Sequence, residues 1–165
     1  MLLLAGTSTQ KVVELLAAGS GLPAALEALK VQQGLILPWI TAQQIIAQNV
    51  TPEVSGLSTV DNYPLVYVYC TKVVNSLREK FRTFSGEAQM VVEARVSQDR
   101  LDQIETNLQA YMDAITQVLD NSRGDLGAGI FFAGKYEVTF GGVKHGGRNF
   151  LQIAKVAFAL EISAG

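Results

Sequence analysis

The residues best placed to do chemistry lie in a glycine-rich run at positions 141–149, GGVKHGGRN. Its glycines and cations could hold a phosphate, and His145 could act as a general base. A phosphate loop, however, needs the aligned amides of a helix start, and no helical pattern follows this run. A hairpin loop explains the glycines more simply, because glycine supplies the positive φ that tight turns need. We therefore predict an exposed hairpin loop here.

The other potentially reactive side chains also favour structural roles. His145 is the only histidine and Cys70 the only cysteine, so we expect neither a zinc site with spaced ligands nor an internal disulfide. Cys70 lies in an apolar strand pattern, which favours a buried thiol. Asp99 and Asp102 lie where a helix is predicted to begin, and the helix dipole accounts for them. We predict no catalytic residue, no metal and no cofactor.

A second run interleaves cations with aromatic residues, REKFRTF at positions 78–84. Such a pattern can stack on single-stranded bases, but two phenylalanines are few and the chain has a net charge of -2. A solvated turn whose phenylalanines cover a sheet edge, or dock on a neighbouring subunit, is the favoured interpretation. The residues predicted to contact other subunits or partners are Arg78, Lys80, Phe81, Arg82, Lys144, His145 and Arg148.

The second half of the chain carries the clearest strand patterns. Residues 65–70 are β-branched or aromatic on both faces, which predicts a strand in the middle of a sheet, covered on both sides. Residues 87–96 alternate strictly, which predicts one face on the core and a charged face toward water or a partner. Two further alternating strands, at 135–140 and 154–162, are predicted to be antiparallel and joined across the glycine-rich run.

One long amphipathic helix is predicted between the two pairs of strands. Asp99 is expected to cap it, and Arg123 and Gly124 suit its C-terminal end. Its apolar residues recur at helical spacing as one stripe, which must be buried against the sheet. The stripe consists of Leu101, Ile104, Leu108, Met112, Ile115 and Leu119.

The first third of the chain is predicted to be helical. A hydroxyl side chain at 7–9 could cap a first helix that ends near Gly19, and a second helix is expected over 22–34, with proline in its first turn. Residues 35–62 give weak signals, and we predict an extended arm there, with a short helix at 41–48 as an alternative.

Length and composition favour one domain of the α+β class. The 165 residues suffice for a single core, with helices and arm over 1–62 and an α+β core over 63–163. We predict a mainly antiparallel four-stranded sheet packed against one long amphipathic helix, with N-terminal helices and an extended arm. Apolar residues make up 48% and charged residues 17%. Such a composition indicates either apolar surface that faces partner subunits or an ordinary dense core.

Targeting signals are not apparent in the sequence. A single cysteine suits a reducing cytoplasm. Neither a signal peptide nor an apolar run of roughly 20 residues is recognisable, so we expect no membrane partner.

Four motifs in the second part of the chain carry a family resemblance: YPLVYVY at 63–69, REKFRTFSG at 78–86, SQDR at 97–100 and GRNFLQ at 147–152. Over about residues 44–163 the chain resembles tailed-bacteriophage neck proteins of the tail-terminator type, and the likeness is weak before residue 44. It implies a small α+β virion protein at the head–tail junction, assembled in the host cytoplasm. Such proteins form a hexameric ring that caps the tail tube, stops its growth and joins it to the head-side connector. DNA would pass through the ring without specific binding.

Other hypotheses stay open beside this one. A head-closure or tail-completion protein would be a near relative of a terminator. A small-molecule-binding or regulatory module would be supported by a ligand in a dry pocket between helix and sheet. An enzyme would need a cleft where acidic residues or His145 converge. For a ring protein, charge reversal at Arg78 and Arg82 is expected to weaken ring assembly or tail joining.

Overall fold

The computed structural model describes residues 4–51, 63–146 and 149–165. Three α-helices and eight strands occur in these ranges. The helices are α1 (Leu4–Ala17), α2 (Leu22–Gln33) and α3 (Ile104–Asn121), with a 3₁₀ helix at Ala42–Gln44. The strands are β1 (Ile45–Ile46), β2 (Leu65–Asn75), β3 (Phe84–Gln98), β4 (Gly124–Gly127), β5 (Ile130–Phe132), β6 (Tyr136–Phe140), β7 (Lys144–Gly146) and β8 (Asn149–Ala164).

The centre of the fold is the long antiparallel pair of β3 and β8, which stay paired from one end of the sheet to the other. On one side, β2 pairs antiparallel with β3, and β1 adds to β2 in parallel. On the other side, β5, β6 and β7 each pair with a different part of β8, and β4 pairs with β5. The α+β class is confirmed. The predicted antiparallel four-stranded sheet is wrong, because the described ranges form a curled, mixed sheet of eight strands.

The four predicted strands are all present, and the unpredicted ones are short. β1 has two residues, β5 and β7 have three each, and β4 has four. Alternation cannot be recognised over so few positions. The glycine-rich run is therefore more than a loop, because β7 within it pairs with the start of β8.

The long helix α3 packs its apolar stripe against β3 and β8. From Ile104 to Leu119 the predicted stripe is buried, as expected. The predicted start is wrong: the residue that precedes the helix is Gln103, in a left-handed conformation (φ 61°) and without a side-chain cap. Asp99 therefore does not cap α3, and Leu101 lies outside the helix and is exposed.

Of the two N-terminal helices, α1 packs against β2 and α2 packs against α3. The buried residues of both belong to the same core cluster as those of α3. The caps predicted at 7–9 are wrong, because α1 already includes Leu4 and the Thr9 hydroxyl donates to the Ala5 carbonyl inside it (2.8 Å). The second helix is confirmed, and Gly34 ends it at φ 64°. By length and composition alone, residues 4–33 could cross a membrane, contrary to our expectation. They form two helices, each shorter than the roughly 20 residues that a span needs.

The predicted arm packs against the rest of the fold as far as it is described. Leu37, Ile40 and Ile45 are buried in the core. The Tyr111 hydroxyl of α3 donates to the Pro38 carbonyl at 2.8 Å. The remainder of the arm, residues 52–62, lies outside the described residues.

The contact between Tyr111 and Pro38 gives a first testable prediction. We expect Tyr111→Phe to lower the free energy of unfolding by about 1 kcal/mol, because the part-buried carbonyl loses its donor. Chemical denaturation measures the difference. Tyr136→Phe is the matched control, since that hydroxyl bonds Asp120 at an exposed site and its loss should cost less. If both variants lose the same free energy of unfolding, the hydrogen bond between Tyr111 and Pro38 does not hold the arm.

Candidate protein-contact surface

The first group of predicted contact residues, at positions 78–82, lies within residues 76–83, which connect β2 to β3 at one end of the sheet. Asn75, the last residue of β2, fixes its shape through three hydrogen bonds. Its Oδ1 accepts from the amides of Leu77 (3.2 Å) and Ser85 (3.1 Å), and its Nδ2 donates to the Thr83 carbonyl (3.0 Å). We call residues 76–83 the β2–β3 loop.

A second set of hydrogen bonds ties this loop to the start of β3 and to the end of β8. The buried Ser85 accepts the Glu79 amide on its Oγ (3.0 Å) and the Ser76 and Arg78 amides on its carbonyl (3.1 and 3.3 Å). The Ser163 hydroxyl of β8 donates to the Glu79 carboxylate at 2.8 Å. The β2–β3 loop is therefore a fixed part of the sheet end.

Ion pairs engage only part of the charge in the loop. Its arginines pair within the chain: Arg78 with Glu87 and Glu161, both at 3.8 Å, and Arg82 with Glu79 at 3.4 Å. These pairs are solvent-exposed, and such pairs contribute about 0–1 kcal/mol. Lys80 has no carboxylate within 4.0 Å in the described part of the chain. The loop therefore keeps positive charge that a partner can use.

Two apolar side chains project from the loop into solvent. Phe81 is 98% exposed at φ 68°, and Leu77 is 63% exposed at φ 49°. A left-handed backbone costs an L-residue roughly 1–2 kcal/mol. Neither side chain recovers that cost by burial. A rigid loop that displays strained, exposed apolar residues is typical of a surface that contacts another molecule.

The second predicted contact region is at β7. Lys144 and His145 are exposed, and the His145 ring packs edge-on against Phe150 with the ring centroids 5.4 Å apart. Arg148 lies outside the described residues. As predicted, His145 is an exposed side chain of the glycine-rich run.

The structure does not bring the two predicted contact regions together. β7 pairs with the start of β8 at Leu151, whereas the β2–β3 loop adjoins Phe84, which pairs with Ala164 at the other end of β8. Roughly 40 Å of strand separates them. They are two separate surfaces at opposite ends of the sheet.

Sequence reasoning missed a buried charged cluster beneath the arm. Glu93 and Arg95 lie on the face of β3 that was expected to meet water or a partner, yet Arg95 is 1% exposed. Its Nε lies 2.5 Å from the Glu93 carboxylate, and its guanidinium stacks on the Tyr67 ring at 4.1 Å. Its Nη2 donates to the Val50 carbonyl of the arm. The prediction of an open charged face is wrong here, because the arm covers it.

Glu93 has two more partners in this cluster. The Tyr69 hydroxyl donates to its carboxylate at 3.0 Å, and Lys155 Nζ lies 3.5 Å away. Burial, and after it the negative charge of Glu93, raises the pKa of Tyr69 above its ordinary value. The phenol therefore stays protonated and serves as a hydrogen-bond donor. The only sequence signal for this cluster was the strict alternation of polar and apolar residues in β3. That pattern does not show that the arm covers the polar face.

A groove of about 480 Å³ lies beside the cluster, on the face of the sheet opposite α3. The arm forms one wall and residues 139–142 the other. Its floor combines apolar Ile153 with the charged side chains of Glu93 and Lys155. Such a groove could admit a small molecule that has both apolar and charged parts.

The described residues offer no metal-binding cluster. Within residues 4–51, 63–146 and 149–165, no group of three or more His, Cys, Asp or Glu side chains is arranged to hold a metal ion. Cys70 is half-buried rather than buried, and its Sγ contacts the Lys72 carbonyl at 3.4 Å.

Comparison with known proteins adds no assignment. No protein-family model matches the chain, and no curated protein matches it significantly either. A function must therefore be inferred from the surfaces of the molecule.

The hydrogen bonds of Asn75 give a second prediction. We expect Asn75→Ala to lower the free energy of unfolding by about 1–2 kcal/mol, since two amides and one carbonyl lose their partner. Hydrogen exchange should show lost protection of the Leu77 and Ser85 amides. The exposed Asn121 at the end of α3 provides the control variant, Asn121→Ala. Unchanged protection in Asn75→Ala would contradict a loop held by this side chain.

Proposed function

We propose that this protein is a structural subunit of a bacteriophage neck, of the tail-terminator type. It forms a ring that caps the tail tube, stops its growth and joins it to the head-side connector. The observation that carries the proposal is the β2–β3 loop, which is fixed by hydrogen bonds and holds Phe81 almost fully in solvent. A rigid, apolar projection of this kind suits contact between protein chains.

The distribution of apolar surface supports an assembling subunit. Large apolar side chains are exposed in α2, in the arm, in the β2–β3 loop, before α3, in β5 and β6, and just after β6, so a neighbouring subunit could cover any of several sides. The residues are Val31, Ile36, Trp39, Leu77, Phe81, Leu101, Phe131, Phe140 and Val143.

The outer edge of β2 favours loop contacts over strand addition. In the ranges that the structure describes, β1 pairs with this edge only at Val66 and Tyr67. A bulge between Cys70 and Lys72 interrupts the strand beyond that point, and Lys72 is exposed there. Bulges and lysines at an edge discourage pairing with another chain. We therefore place the contacts between subunits in the loops.

Electrostatics suit a ring through which DNA moves. The net charge of -2 gives no broad basic surface, and binding to phosphates depends on clustered lysines and arginines. A mildly acidic ring lets DNA pass without retaining it.

Imaging of particles made without this gene tests the proposal. We expect tails of uncontrolled length that are separated from heads, and complementation with the wild-type gene should restore joined virions. Normal virions in the deletion would contradict the proposal. Unjoined tails of normal length would contradict termination and favour a head-closure or tail-completion role.

A second candidate, a small-molecule-binding module, is favoured by the groove between the arm and the sheet. Its volume of about 480 Å³ falls within the usual range for ligand sites. A screen of small carboxylates and phosphates by thermal unfolding tests this candidate. It predicts a ligand that raises Tm in the wild type and not in Lys155→Ala.

A further inference from the structure

The groove between the arm and the sheet has a lysine at each end of an apolar floor. Lys144 pairs with Leu151 at the start of β8, and directly paired residues of antiparallel strands share a face. Ile153 and Lys155 follow on the same face of β8, because side chains alternate along a strand. Leu151 and Lys155 are four positions apart, so roughly 13 Å of strand lies between the two ends. The side chains of Leu151 and Ile153 form the apolar floor between them.

Cations outnumber carboxylates in the described lining of the groove. Arg95, Lys144 and Lys155 contribute three positive charges, and Glu93 contributes one negative charge. The count already includes the ion pairs, because Glu93 is the shared partner of Arg95 and Lys155. Glu137 lies nearby on β6, but it is not part of this lining and forms no ion pair with Lys155. The groove therefore has an excess of positive charge, in a chain whose net charge is -2.

The two lysines, rather than Arg95, present their charge to a ligand. Arg95 is 1% exposed, and its guanidinium already engages Glu93 and the Val50 carbonyl. Lys155 is half-exposed, and one 3.5 Å contact with Glu93 leaves further N–H donors of its ammonium group for another acceptor. Lys144 is exposed, and no carboxylate of the described ranges lies within 4.0 Å of it.

The wall formed by residues 139–142 leaves space above the apolar floor. The Gly141 amide donates to the Ile153 carbonyl at 2.8 Å, which fixes this wall against β8. Gly142 has no side chain, and a Cβ atom added there would contact nothing within 4 Å. The volume of about 480 Å³ lies within the range of roughly 300–1,000 Å³ that is usual for small-molecule sites. The groove can therefore hold an aromatic or aliphatic group together with its charged substituent.

We infer that the groove binds a small organic anion with an apolar body. The apolar body lies on Leu151 and Ile153, where it is removed from water. Lys144 and Lys155 attract the anionic group, and their flexible stems let the ammonium groups reach it. A cation of the same shape is disfavoured, because the lining already has an excess of positive charge. This inference rests on the second candidate function, ligand binding in the groove, and names the class of ligand.

Isothermal titration calorimetry with matched probes tests the inference. The probes 2-naphthoate and 2-naphthamide share an apolar body and differ in charge, whereas acetate has the charge without the body. We expect the wild type to bind 2-naphthoate about tenfold more tightly than 2-naphthamide, and acetate more weakly than either. The double variant Lys144→Met with Lys155→Met removes both charges and keeps the apolar stems. It should bind the two naphthalene probes with equal affinity.

Amide chemical shifts locate the bound probe. In the wild type, 2-naphthoate should shift the amide signals of Lys144, Ile153 and Lys155. The matched control is Lys72→Met with Lys135→Met, which removes two exposed lysines outside the groove and should keep the preference for the anion. Thermal unfolding establishes that both double variants are folded.

Three results would overturn the inference: equal affinity of the wild type for the two naphthalene probes, a preference for 2-naphthoate that survives in Lys144→Met with Lys155→Met, or shifts that lie outside the groove. Equal affinity with shifts inside the groove would refute the anion class and retain ligand binding there. If neither naphthalene probe binds the wild type, the inference fails as well. The proposed ring function fails separately, through normal virions in the gene deletion.

Discussion

Phe81→Gly is expected to abolish assembly and, at the same time, to stabilise the monomer. The ring is 98% exposed, so its removal loses no burial within the chain. Glycine adopts φ 68° freely, which relieves roughly 1–2 kcal/mol of strain. The added freedom of the unfolded chain offsets about 0.4–1 kcal/mol of this gain. We therefore expect a net increase in the free energy of unfolding of up to about 1.6 kcal/mol.

Chemical denaturation and sedimentation together measure both effects of this substitution. Phe81→Ala separates them, because alanine removes the ring but keeps the strained backbone. It should lose assembly without the gain in stability. Phe131→Ala, at a partly exposed phenylalanine in β5, controls for the general loss of an aromatic ring. A loss of stability in Phe81→Gly would show that the ring packs within its own chain, contrary to the proposed contact.

Arg95→Ala is expected to cause the largest loss of stability, about 3–5 kcal/mol. The guanidinium is 1% exposed and lies 2.5 Å from the Glu93 carboxylate. Its removal leaves Glu93 with less compensation in a buried site and removes the donor to the Val50 carbonyl. Because Val50 belongs to the arm, the same substitution should also release the arm from the sheet. Chemical denaturation measures the first effect, and hydrogen exchange over residues 45–51 measures the second.

Lys155→Ala is the matched control for this prediction. Lys155 Nζ contacts the same carboxylate at 3.5 Å, but from a side chain that is half-exposed. Its loss should cost less than about 1 kcal/mol. Equal effects from Arg95→Ala and Lys155→Ala would contradict a buried cluster in which Arg95 is the principal partner of Glu93.

The sequence predicts the long elements well because their periodic patterns extend over many residues. From Ile104 to Leu119 the apolar stripe of α3 is buried, and the alternating residues of β3 and β8 lie within paired strands. The strands that complete the sheet are too short to carry a pattern. The start of α3 was misplaced because Asp99 has the chemistry of a cap, although Gln103 occupies that position.

Contacts between distant parts of the chain could not be predicted. Arg95 alternates with apolar residues like any solvent-facing side chain, and only the fold places the Val50 carbonyl over it. The left-handed backbone of Phe81 depends in the same way on its surroundings, through the hydrogen bonds of Asn75 and Ser85.

The candidate contact residues were predicted from composition and spacing. These indicate which side chains are exposed better than they indicate where those side chains lie relative to one another. The β2–β3 loop is exposed and displays Phe81 as expected, while its role in binding stays a prediction. β7 lies at the opposite end of the sheet from the β2–β3 loop. This location could not be predicted without the pairing register of β8.

The location of this protein in purified virions tests the central claim most directly. Cryo-electron microscopy of intact particles, with a tag fused to the chain as a marker, determines both its position and its copy number. We predict a closed ring at the head–tail junction, with the DNA path through its centre and the β2–β3 loop of each copy in contact with a neighbour. Absence of the protein from purified virions, or its presence away from that junction, would contradict the claim.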